Sequence, residues 1–199
     1  MAKLLERSMA WLLYARRGHD SGLLHRSPPF AQHPSPTMTV ECTIGASESP
    51  IPPEYSAFED GHFPTFSWTP QLNAAEYLLI VEDPDAPLAE PVVHGLYHGI
   101  PASKTTVSSE DFEPIGDDGE FRLNGGFKYG VNRKGNIYIP PRGFLGHGPH
   151  RYFYQVVALS QRIDEFQLGC PAAKDDVIRC LQDKIISWGY WVGVWERKE

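Results

Sequence analysis

The chain is poor in the residues that would mark a stapled, membrane-spanning or nucleic-acid-binding protein. It has three cysteines, Cys42, Cys170 and Cys180. The count is odd and no two sit at a metal-ligand spacing, so a disulfide framework is not expected and a reducing, cytoplasmic compartment is. The uninterrupted apolar run near the start, Met9 to Ala15, is seven residues long, against the roughly 20 that a membrane helix needs. No small-x-small cleavage site follows it, which argues against a secretory leader. Net charge is -7 and no basic stripe interrupts it, which excludes non-specific nucleic-acid binding. There is no nucleophile elbow, glycine-rich phosphate loop, cofactor motif or internal repeat, and no cofactor is expected.

What remains is a globular composition: 199 residues, 41% hydrophobic, with 18 glycines and 18 prolines that imply many turns. That length fits one domain with a sizeable core. Leu4, Leu5, Met9, Leu12 and Leu13 fall at helical spacing before Arg16 and Arg17, and predict an amphipathic helix docked on the body of the protein. Ser27 to Pro36 holds four prolines and reads as a linker or wrapped segment. Residues 1–36 are thus expected as an N-terminal helix and linker packed on a domain spanning 37–199. From Thr39 the pattern is β-like: Thr39–Ile44, Phe63–Trp68, Glu76–Glu82, Val92–Ile100, Gly126–Tyr129, Asn136–Ile139 and Arg151–Leu159 read as strands. Val177, Ile178, Leu181, Ile185 and Trp188 suggest a helix from about Ala172, ended by Gly189 and followed by a strand over Tyr190–Trp195. The fold class is mostly β (α+β), with peripheral helices at both ends. Trp11, Trp191 and Trp195 can cover a core or an interface, so a homodimer stays open.

The chemistry concentrates in two places. Asp83-Pro84-Asp85-Ala86-Pro87 closes the most apolar strand, with stiff prolines around two carboxylates. Turn capping explains such aspartates equally well. Eight histidines are many for this length. His94 and His98 stand four apart, but on a strand that is a separation of roughly 13 Å. A zinc–nitrogen bond is about 2.1 Å, so they should share no metal, and no metal site is expected. His147 and His150 lie in a glycine-rich loop after Pro140-Pro141. Each histidine taken alone is as well explained by a hydrogen-bonded core residue, and Tyr152 and Tyr154 by core aromatics.

Together these segments resemble the phosphatidylethanolamine-binding protein family. Asp83-Pro84-Asp85-Ala86-Pro87 followed by His94 matches one family motif. Pro140-Pro141, the glycines at 146 and 148, and His150-Arg151-Tyr152 match the other, in the right order. The resemblance implies a large central antiparallel sheet, a smaller second sheet and a C-terminal helix. It also implies a pocket for phosphate, phospholipid head groups or dicarboxylates, lined by Asp83, Asp85, His94, His150 and Tyr152, with Pro141, Arg142 and Gly148 from the loop. Three departures point to the fungal and microbial branch and away from kinase regulation. Gly95 replaces the usual Trp and should widen the pocket, the loop from Pro141 to His150 is longer and carries Arg142 and His147, and the first 35 residues are extra. A carboxylate beside an imidazole favours imidazolium, which would draw anions into an acidic protein. Arg142 would clamp a carboxylate if the loop folds inward, and Arg151 should point away and pair with a motif aspartate. Two functions fit: a binding module for a small anionic ligand, or a cofactor-free cyclase that dimerises maleic anhydride polyketide units (maleidrides). In the second, His94 or His150 takes a proton from carbon while Tyr152 or Arg142 holds the oxygens.

Overall fold

The computed structural model describes residues 2–117 and 120–198, with only the backbone of residues 2–5, 7 and 9. The predicted apolar stripe of Leu4, Leu5 and Met9 therefore lies outside the described side chains. The described residues form two α-helices, α1 (Ala2–Leu13) and α2 (Lys174–Cys180), and eleven strands: β1 (Val40–Cys42), β2 (Ser49–Pro50), β3 (Phe66–Trp68), β4 (Glu76–Asp83), β5 (Val92–Pro101), β6 (Thr106–Val107), β7 (Pro114–Ile115), β8 (Arg122–Leu123), β9 (Lys128–Tyr129), β10 (His150–Leu159) and, after α2, β11 (Ile185–Trp195). The large sheet runs β2-β11-β10-β4-β5-β9-β8-β7 and the small one β1-β3-β6. All the pairings are antiparallel except that of β11 with β2.

Every residue of β4 is buried, as its continuous apolar run and central place between β10 and β5 require. Its side chains alternate between two cores. Tyr77, Leu79 and Val81 face the small sheet, where Phe66, Trp68, Tyr154 and Trp191 pack. Leu78 and Ile80 face α2 and the N-terminal wrap, with Leu24, Phe30, Val177, Leu181 and Trp188.

Two expectations fail, for identifiable reasons. The C-terminal helix stops at Cys180, and residues 185–195 are one strand containing both Trp188 and Gly189. Ala158 pairs with Ser187 but Leu159 pairs with Ile185, so Ile186 is an extra residue. That bulge brings Ile185 and Trp188, three apart, into the same core, which imitates helical spacing. Gly189 does not end a helix: a Cβ there would lie 2.0 Å from the Met38 carbonyl oxygen, so it admits the chain crossing over it. The strand expected over Asn136–Ile139 is an irregular segment. It crosses β5 through single bonds, Ile139 N–H to the His94 carbonyl and the Tyr97 hydroxyl to the Ile137 carbonyl.

His98, on β5, lines a cleft of about 650 Å³ with Glu76, Arg122, Lys128 and Arg162. Burial pushes its imidazole down to about 4. The unfolded chain therefore takes up that proton first, so the contribution is intact above the ordinary value of 6.5 and is lost as pH falls toward 4. The depression corresponds to about 3 kcal/mol. In urea denaturation followed from pH 7 to pH 4, His98→Gln should lose less stability than the wild-type chain. An equal loss would show that His98 is not the group responsible.

Candidate functional site

Strand order places the site. β4 ends at Asp83 between the start of β10, at His150, and β5, which carries His94. Val81 pairs with Gly95 and Glu82 with Val93, so His94 is the extra residue of a β-bulge. A bulge re-aims a side chain. Here the His94 ring meets Tyr152 edge to face, with centroids 5.0 Å apart. One carboxylate oxygen of Asp83 then serves both histidines, at 2.8 Å from His150 Nδ1 and 4.0 Å from His94 Nε2. The other oxygen accepts the Asp85 N–H at 2.8 Å, a turn that holds the carboxylate in place.

Hydrogen-bond acceptors fix the protons. His94 Nδ1 lies 2.6 Å from the Ile139 carbonyl oxygen, which only accepts, so Nδ1 carries the hydrogen. Burial pushes the His94 pKa down, partly offset by Asp83. The ring is neutral, with a lone pair on Nε2. On the other side a chain runs from Asp83 to His150 Nδ1, from His150 Nε2 to His147 Nδ1 at 2.8 Å, and from His147 Nε2 to the Leu13 carbonyl oxygen at 3.3 Å. Both ends of this chain are acceptors, so His150 Nδ1 and His147 Nε2 are both donors. Two lone pairs cannot face each other at 2.8 Å, so a third proton lies between the rings. The two imidazoles thus share one positive charge. Burial pushes the His147 pKa down, partly offset by the Leu13 carbonyl.

The remaining expected residues divide. Tyr152 stands in the cluster, its hydroxyl accepting the Arg142 N–H at 3.0 Å, and burial followed by Asp83 keeps the phenol protonated by raising its pKa far above the ordinary value. Asp85 does not meet the histidines. It binds the Arg151 backbone N–H at 2.9 Å and the guanidinium at 2.8 and 3.0 Å. Burial pushes its pKa up, but the Arg151 bonds outweigh burial and hold it below the ordinary value. Arg151 also grips both oxygens of Asp20 at 2.9 Å, so its expected pairing with a motif aspartate is present. The Arg142 side chain turns outward over Phe58, 5.8 Å from the ring centre. Pro141 is buried and its carbonyl accepts the Ala57 N–H.

The arginine at the cluster is Arg17. It donates to the His147 carbonyl at 3.0 Å and to the Pro149 carbonyl, lies 3.9 Å from Asp85 and stacks on Tyr14. Gly148 makes room for it, since a Cβ there would be 2.6 Å from Arg17 Nη1. Arg17 was missed because the carbonyls it donates to lie 130 and more positions away. The paired arginines after the apolar stripe were the available signal. Among the described residues no group of three or more His, Cys, Asp or Glu side chains is placed to hold a metal.

Gly95 does not widen the site. A Cβ there would lie 2.3 Å from the Tyr97 hydroxyl, so Tyr97 occupies the space instead. Gly95→Ala should cost about 1–3 kcal/mol by overpacking, measured by urea denaturation; an unchanged midpoint would mean that the space is open. Asp83→Ala should cost about 3–5 kcal/mol, because it leaves the shared histidine charge buried without its counter-ion. A loss below 1 kcal/mol at pH 7 would refute the shared charge.

Two sheets enclosing an aromatic core, with a histidine–carboxylate cluster at one end of the larger sheet, define a class of mostly antiparallel β proteins with a polar terminal site. The family model for phosphatidylethanolamine-binding protein matches residues 41–196, and the chain belongs to that family. It is 39% identical to phomoidride biosynthesis cluster protein B of the fungus Talaromyces stipitatus, over 98% of this chain and 82% of that one. A protein of the same name from another fungal species is also 39% identical, over 98% of both chains. A phosphatidylethanolamine-binding protein homologue from Chlamydia trachomatis has a similar fold, with a TM-score of 0.66 at 22% identity over 82% of this chain and 100% of its own. Among the described residues no helix is long and apolar enough to cross a membrane.

Proposed function

We propose that the protein is a cofactor-free catalyst of fungal natural-product biosynthesis that moves a proton on a small anionic or anhydride-bearing substrate. The observation that carries this reading is the division of labour around Asp83. His94 offers a lone pair on Nε2, while the His150–His147 pair offers a charged N–H donor on the other side of the same carboxylate. A lone pair on one ring and an N–H donor on another, set on either side of one carboxylate, supply a base and a hydrogen-bond donor within one site. The two relatives named for a biosynthesis cluster, alike over nearly the whole chain, support the setting.

In the maleic-anhydride case, His94 Nε2 removes a proton from carbon next to the conjugated anhydride. This forms an enolate and a His94 imidazolium. The enolate carbon adds to the alkene of a second anhydride unit, and the imidazolium returns its proton to the new enolate, so no oxidant or other reactant is needed. The histidine-pair cation and the Tyr152 hydroxyl stabilise the oxyanion. Asp83 sets tautomer and charge, and Asp85 holds Arg151. Pro141, Gly148 and the Arg142 backbone shape the loop.

Conversion of a maleic-anhydride precursor, followed by liquid chromatography and mass spectrometry, tests this reading. His94→Gln should lower kcat by about 10²–10⁴-fold with an unchanged circular dichroism spectrum. Because burial lowers the His94 pKa, the acid limb of kcat/KM should lie below pH 6.5. Conversion by His94→Gln at the wild-type rate overturns the assignment. A second reading, a binding module for phosphate, a head group or a dicarboxylate, is favoured by the burial of all three rings. Wild-type protein that binds such anions but consumes no precursor would establish it.

A further inference from the structure

The nitrogens of the three histidines are not equally able to meet a ligand. His94 Nδ1 is committed to Ile139, and His150 uses one nitrogen on Asp83 and the other on His147. The donor at the end of the charged chain is His147 Nε2. Its partner is the carbonyl oxygen of Leu13, the last residue of α1, at 3.3 Å. That oxygen already accepts the Arg16 N–H at 2.8 Å, so the histidine bond is the longer of its two. The C-terminus of a helix carries partial negative charge and favours a cation beside it. An electronegative oxygen on a negative helix end therefore faces a buried cationic donor, as the oxygen of an anion would.

The same segment is latched by Arg17, through the His147 and Pro149 carbonyls, and by Tyr14, whose ring meets His147 edge to face at 6.3 Å. The His147 ring is fully buried beneath it. From outside, Trp11, Leu12 and Tyr14 are 77%, 69% and 55% exposed, so little apolar burial holds that face of the helix end down.

We propose that residues 13–17 are an internal plug: the Leu13 carbonyl occupies the oxygen position of the anionic ligand on His147 Nε2, Arg17 is the latch, and the ligand enters by displacing the segment. This rests on the histidine cluster being the ligand site. It makes His147 a ligand-contacting residue and gives the site a built-in competitor. A site open only part of the time binds with an affinity reduced by that fraction, so loosening the latch must tighten binding.

The test uses the full chain and 2,3-dimethylmaleate, a small dicarboxylate. Ring-nitrogen NMR signals of the histidines, calorimetric Kd and trypsin cleavage after Arg16 are measured together. Saturating dimethylmaleate should move the His147 signal and speed cleavage about 5-fold or more, and Arg17→Ala should lower Kd about 5-fold. If His94 and His150 signals respond while His147 and cleavage do not, the plug is wrong and the anion site stands. If Arg17→Ala weakens binding, Arg17 is a clamp and the plug is wrong. If neither protein binds dimethylmaleate, the plug and the anion site both fall.

Discussion

One buried carboxylate organises this protein's end of the sheet. Asp83 stands where three strands meet, and a single oxygen of it faces both His150 and His94. A buried charge without partners is expensive, and removing one member of such a set costs more than the set contributes. The surroundings accordingly supply the partners: the Asp85 N–H on one oxygen, and a histidine pair whose shared proton balances the charge on the other. The protonation states of His94, His150 and His147 follow from that arrangement and from the acceptors they face, Ile139, Asp83 and Leu13. The bulge at His94 and the glycine at position 148 serve it by placing a ring and admitting Arg17.

The neighbouring carboxylate does a different task on the opposite face. Glu82 is fully buried and accepts the Leu24 N–H at 2.8 Å, the Gln155 amide at 2.6 Å and the Lys174 ammonium. It thereby ties the N-terminal wrap and α2 to the sheet. Asp85 and Asp20 grip Arg151 from two sides and fix the chain just after Arg17. The Glu6 carboxylate holds the start of the wrap to Leu145 and Arg197. The segment between, with Leu13 and Arg17, is thus suspended across the histidine cluster from anchors on either side. Strand alternation produces this division: residues 82 and 83 must point to opposite faces.

The two motifs were readable in the sequence because each is local: Asp83 and Asp85 share a turn, and His150, Arg151 and Tyr152 open a strand. The pairing of Arg151 with a motif aspartate was legible because alternation sends Arg151 away from its neighbours. What was not legible depends on distant contacts or on bulges. Arg17 meets the His147 carbonyl across 130 residues, and its own neighbourhood offers only the paired arginines as a signal. Arg142 looked like the clamp because it lies in the motif loop, yet Phe58, far away in sequence, takes its side chain. The over-long C-terminal helix and the misjudged Gly95 share one cause. An extra residue in a strand and a tyrosine two positions on both change what fills a space, and neither alters the local pattern of hydrophobic and polar residues.

Closure follows from the same electrostatics. The chain is acidic overall, so an anionic ligand of the kind proposed would have to be drawn in by the local field and not by long-range attraction. A histidine-pair cation in water would be screened, whereas under α1 and Tyr14 it acts through a low dielectric, where each bond to charge is stronger. The same low dielectric would make an exposed donor at His147 Nε2 costly without an acceptor. Under the proposed reading, a dry anion site therefore needs something in the anion's place when it is empty. Ordered solvent is one solution. A backbone carbonyl on the negative end of a helix is another, and its advantage is that it is attached to the chain and returns without a search. On this view the N-terminal extension belongs to the site as much as the motif histidines do.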